Sequence, residues 1–178
     1  MPSTAFASLP DDARVWVFAA ADPVAGDAER VLLEATDRFL AGWAAHGVPL
    51  RCALDWREGR FLAVGVDQSV EGASGCSIDG MFRSLRGLEP QLGTSLLAAG
   101  RVYWREADGT VRSADRARFR ALAGEGALDA ATPVFDTTVT TAGAWRTAFE
   151  RPLAASWHAQ VAGLAAPAAP AAAGGSAR

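Results

Sequence analysis

One thiol, two imidazoles and a loop of small residues are the groups in this chain whose chemistry could be covalent. Cys76 stands in the run Gly72-Ala73-Ser74-Gly75-Cys76-Ser77-Ile78-Asp79, which joins a predicted strand ending at Asp67 to the helix that follows. Small residues let a backbone turn tightly and approach a ligand closely. A thiol at a helix N-terminus feels the positive end of the dipole, which favours thiolate. That is how a nucleophile is positioned, and a cysteine nucleophile needs a base within hydrogen-bond reach. The chain has two histidines, His46 after Trp43-Ala44-Ala45 and His158 after Ser156-Trp157, and the sequence does not choose between them.

Asp67 is the carboxylate that could orient such a base, and Ser74, Gly75, Ser77 and Asp79 surround the thiol as candidate ligand contacts. Each has a plainer role. Ser74 or Ser77 can cap the helix, and Asp79 can complement its dipole. The same loop amides could hold an anion such as phosphate. A free cysteine is among the most often buried residue types, so an inert Cys76 is the alternative to a reactive one. Cys52, which alternates with Leu54 and Trp56, reads as core.

Elements that would position these groups follow from periodicity. Arg14 to Ala20 is a β-prone run, and from Asp27 to His46 the residues Val31, Leu32, Ala35, Phe39, Leu40 and Trp43 recur at helical spacing, with Gly47 as a stop. Leu50–Trp56 and Phe61–Val66 flank a short tip and predict a hairpin. Ile78, Met81, Phe82, Leu85, Leu88 and Leu92 predict a second helix ending near Gly93, and Asp108-Gly109 marks a second hairpin. The order through Glu106 predicts an α+β fold: a ferredoxin-like β-α-β-β-α-β core with an appended hairpin-helix-strand segment. In that segment Ser113 is expected to cap a short helix, Thr132 to Thr140 reads as a strand, and Thr141 is expected to cap a last helix.

With 178 residues, half of them apolar, the chain predicts one domain over residues 1–160, followed by a disordered Ala/Pro/Gly-rich tail over 161–178. A net charge of −3 gives no footprint for nucleic acid. No run is long enough to span a bilayer, and two cysteines are too few for a disulfide framework, so a cytoplasmic, soluble protein is expected. There is no lysine, which excludes Schiff-base chemistry and a P-loop lysine, and no zinc-type ligand spacing occurs. Neither a metal nor a cofactor is expected.

The chain resembles a group of small bacterial proteins that often carry the name "ABC transporter ATPase". The shared features are Trp43-x-x-His46-Gly47, Phe61 with Val66-Asp67, Ala73 to Asp79, Thr132-x-Val134-Phe135 and Ser156-Trp157-His158, spanning roughly Arg14 to His158. Gly80 stands where that group often has serine. The resemblance implies functional positions but no reaction, and the ATPase name does not suit a chain without lysine. Val102 to Phe135 also resembles the GYF-like modules, whose aromatic surface binds proline-rich peptides; that resemblance makes Tyr103 and Trp104 contact candidates, against the alternative that they pack the sheet.

These readings converge on a cysteine-centred hydrolase or acyl-type transferase acting on a small molecule or peptide, with Cys76 as nucleophile and His158 or His46 as base. The alternative is a non-catalytic module that binds an anionic ligand or a peptide partner. A thiol redox protein is a third reading, but it lacks a nearby resolving cysteine.

Overall fold

The structure is a computed structural model that describes residues 5–69 and 71–164. The tail predicted from 161 lies outside the described residues from 165 onward. Residues 161 and 162, by contrast, belong to a final helix. The described residues pack as two compact units, one formed by 5–101 with 135–150 and the other by 102–134 with 151–164, where the sequence predicts one domain.

The first unit is built on β1 (Arg14–Ala19), β4 (Arg51–Arg57) and β5 (Phe61–Asp67), in the order β1-β5-β4 and antiparallel throughout. Every residue of β5 is buried. A strand paired on both edges and covered on both faces has no solvent side, which is why Phe61-Leu-Ala-Val-Gly-Val66 reads as a continuous small and apolar run. Leu62, Val64 and Val66 join one core with Leu32 and Leu40 of α1 (Asp27–Ala41) and Met81 and Leu85 of α2 (Gly75–Leu92). The opposite face carries Phe61, whose ring lies 4.8 Å from Phe135 and 5.0 Å from Phe149. Gly65 lies on that face too, where a Cβ would stand 2.5 Å from Leu9 Cδ1.

Helix α1 ends at Ala41, five residues before its expected last residue, His46. The reason is Trp43. Its ring is buried, 6.0 Å from Trp16 and 5.7 Å from Phe39, and the chain must leave the helix to place it there. A small hairpin of β2 (Ala44–Ala45) and β3 (Val48–Pro49) follows.

The strand expected to complete a ferredoxin-like sheet, β6 (Arg101–Arg105), is not beside β1. It belongs to a four-stranded sheet ordered β7-β6-β8-β9, with β7 (Val111–Asp115), β8 (Pro133–Phe135) and β9 (Glu150–Pro152). The outer edge of β1 is already occupied: Val15 N–H donates to Thr140 O at 2.8 Å, Ala142 N–H donates to Ala13 O at 2.9 Å, and Leu97 bridges Ala19 in parallel. The first unit is closed by α4 (Ala142–Thr147), which Thr141 caps as expected, its Oγ1 accepting from Ala144 N–H at 3.2 Å.

In the second unit the β6–β7 hairpin turns at Asp108-Gly109, with Gly109 at φ +87°. Helix α3 (Arg116–Gly124) is capped by Asp115, not by Ser113, which lies within β7. Val102, Trp104, Phe119, Leu128, Val134 and Leu153 form the core against α5 (His158–Ala162). Of the strand expected over Thr132 to Thr140, only Pro133–Phe135 is extended in the sheet.

Candidate functional site

Cys76 is the second residue of α2 and is exposed. Ser74 caps the helix: its Oγ accepts from Ser77 N–H at 3.3 Å, and Ser77 Oγ–H donates back to Ser74 O at 2.8 Å. These bonds fix the first turn. The amides of Gly75 and Cys76, as the first two of the helix, have no acceptor within it.

His46 arrives by a turn that the sequence reading missed. The β2–β3 hairpin pairs Ala45 with Val48, which leaves His46 and Gly47 as a two-residue loop with φ values of +51° and +81°. Two successive positive φ angles are the signature of a type I′ turn, whose twist matches that of the flanking strands. Glycine suits the second position, and histidine is one of the few side chains found repeatedly in the left-handed region. The hairpin is held to α2 by Trp43, whose indole N–H donates to Ser77 O at 2.9 Å. Thus a residue that the sequence assigns to the helix face anchors the turn that carries the imidazole.

As a result Ala44, His46, Ser74, Gly75, Cys76 and Ser77 line one open depression at the start of α2. Five of the residues picked out from sequence meet there. Three do not. His158 belongs to the second unit, where it is 1% exposed, packed 3.8 Å from the Trp157 ring and 6.2 Å from Phe119, with Ser156 Oγ and its Nδ1 hydrogen-bonded at 2.7 Å. It is a core imidazole of that unit. Asp67 is buried at the end of β5, accepting from Ser69 N–H at 2.9 Å and pairing with Arg51 at 3.0 Å. The Ser69 hydrogen bonds, with help from Arg51, hold its carboxyl below the usual carboxylate range, so it ties down the strand end. Asp79 is exposed and pairs with Arg83 one turn along the helix at 3.3 Å.

The other thiol is of a different kind. Cys52 is buried, its Sγ lies 3.5 Å from Leu40 O, and burial pushes its pKa up to about 11. Tyr103 and Trp104, for which the sequence left peptide contact and packing in the sheet as alternatives, are 1% and 5% exposed, with Trp104 packed 5.6 Å from Phe119. They pack the sheet and offer no aromatic surface. Among the described residues, no group of three His, Cys, Asp or Glu side chains could hold a metal ion, and no helix is long and apolar enough to cross a membrane. No protein-family model, curated protein or solved structure matches the chain.

Proposed function

We propose that the depression at the start of α2 is a thiol-centred reaction site of the acyl-transfer or hydrolase class, with Cys76 as nucleophile and His46 as its base. In the step proposed, His46 takes the thiol proton while sulfur bonds to an acyl carbon. The leaving group departs with that proton, and water then cleaves the thioester. The Gly75 and Cys76 amides are the donors for the developing oxyanion. The observation that carries this reading is that His46 and Cys76, from a hairpin turn and a helix N-terminus, line the same depression.

Trp43, His46, Ser74, Cys76 and Ser77 are all among the positions shared with the small bacterial family that the chain resembles, and this supports a common site. A reducing cytoplasm suits an exposed free thiol. We also read the first unit as a ferredoxin-like derivative: β1, β5 and β4 keep adjacent places, and short pairings along β1 replace the fourth strand.

The test is the rate of iodoacetamide labelling at neutral pH. Cys76→Ser serves as the blank, because Cys52 is buried and its raised pKa keeps it protonated. Labelling faster than that of a free-cysteine peptide, slowed by His46→Asn, is the expected result. Labelling at the peptide rate in both proteins refutes the nucleophile and leaves a non-catalytic anion site as the reading of this depression.

A further inference from the structure

Among the described residues, Arg30, Arg51, Arg57, Arg83, Arg112, Arg118 and Arg146 are ion-paired with carboxylates. Arg14, Arg38, Arg86, Arg116 and Arg120 have no such partner among the described residues, and of these Arg116 and Arg120 stand together in the second unit. They lie one helical turn apart on α3 and, with Ala117, Gln160 and Val161, line an open depression of about 460 Å³. Between them in sequence, Arg118 is neutralised by Glu125 at 3.0 Å, whereas among the described residues no carboxylate pairs with Arg116 or Arg120. Like charges one turn apart on a helix repel and weaken it.

Both guanidiniums are nevertheless held in place. Arg116 stands over the Trp157 ring, 5.6 Å from its centroid, and that ring is stacked on His158. Arg120 donates through Nε to Val161 O at 3.0 Å, which fixes the group while leaving both Nη atoms available. Ordered donors of this kind lose little entropy on binding. A phosphate group presents three oxygens in a tetrahedral array and close to two negative charges, so it matches two guanidinium forks in both geometry and charge better than a planar, singly charged carboxylate. Ala117 and Val161 offer apolar surface beside them.

We propose that this depression binds the phosphate group of a small phosphorylated molecule, held by Arg116 and Arg120 with Gln160 at the rim and its organic part lying on Ala117 and Val161. The site is independent of Cys76. The experiment titrates the full chain with phenyl phosphate and with inorganic phosphate at constant ionic strength, following backbone, Gln side-chain and Arg Nε–H resonances. Saturable shifts centred on Arg116, Arg120 and Gln160, tighter for the ester, are expected. Arg116→Gln and Arg120→Gln should each weaken binding about tenfold or more, since each removes charge-assisted hydrogen bonds. Arg86→Gln, at an exposed position of α2, should not. The proposal is overturned if the response does not saturate, if acetate at equal ionic strength reproduces it, if inorganic phosphate binds and the ester does not, or if the double variant keeps its affinity.

Discussion

Replacing His46 by asparagine separates the two things that this residue does. The imidazole is exposed, and its backbone sits at φ +51° in the first position of the His46-Gly47 turn. Asparagine before glycine is the preferred pair for a type I′ turn, and asparagine enters the left-handed region more readily than histidine. A two- to threefold gain in that occupancy corresponds to roughly 0.4–0.7 kcal/mol, with no buried contact to lose. His46→Asn should therefore unfold in urea at an equal or slightly higher midpoint than the parent while Cys76 labelling slows. A fall in stability of about 1 kcal/mol or more would refute the turn assignment, because substitutions at an exposed turn residue seldom cost that much without a lost structural role. Unchanged labelling in a stable variant would refute the base.

Three further outcomes follow from the packing. Gly65→Ala should destabilise by about 1–3 kcal/mol, measured by chemical denaturation, because its Cβ would meet Leu9 Cδ1 at 2.5 Å and the Phe6 ring at 3.1 Å. Ser74→Ala should cost about 1 kcal/mol of stability through loss of the α2 cap, and hydrogen exchange at Ser77 N–H should speed up while α1 amides are unchanged. Acid should unfold the protein from the usual carboxylate range downward. Asp67, Asp108 and Asp129 are all held below their ordinary values by hydrogen bonds from Ser69, Thr110 and Thr132, so the stability they contribute is complete above about pH 4 and is lost as pH falls through their folded values. Asp67→Asn should flatten part of that acid limb in a pH-resolved thermal melt.

What could be read in advance was local. Helix α2, the β4–β5 hairpin, the Asp108-Gly109 turn and a buried Cys52 all follow from spacing within about twenty residues, which is the range over which hydrophobic period and turn chemistry act. Two things were not legible for the same reason. The β-prone run at Arg101–Arg105 announces a strand but not its neighbour, and the neighbour was decided by residues 140–142, which claim the edge of β1. The helical spacing of Trp43 with Phe39 and Leu40 hid a change of direction at Gly42, and with it the hairpin that presents His46. The dipeptide His46-Gly47 was the only signal, a weak one beside Asn-Gly. The small-residue loop around Cys76, by contrast, was legible as the start of α2, because a capped helix start is specified by its own few residues.

The closing of the first unit by residues 135–150 bears on how the protein is made. When the chain has been made as far as residue 101, the three-stranded sheet, the β2–β3 hairpin and helices α1 and α2 are present, but Phe135, Trp145 and Phe149, which cover the Phe61 side of the sheet, have not yet been synthesised. Translation at about 5–20 residues per second leaves that aromatic face waiting for several seconds. Nascent chains stalled before Phe135 should hold a sheet face covered only in part, by Phe6 and Leu9, and recruit a holdase; those stalled well past Glu150 should not. The order in which the genetic message is read thus opens an interval of vulnerability that an uninterrupted arrangement of the same strands would avoid.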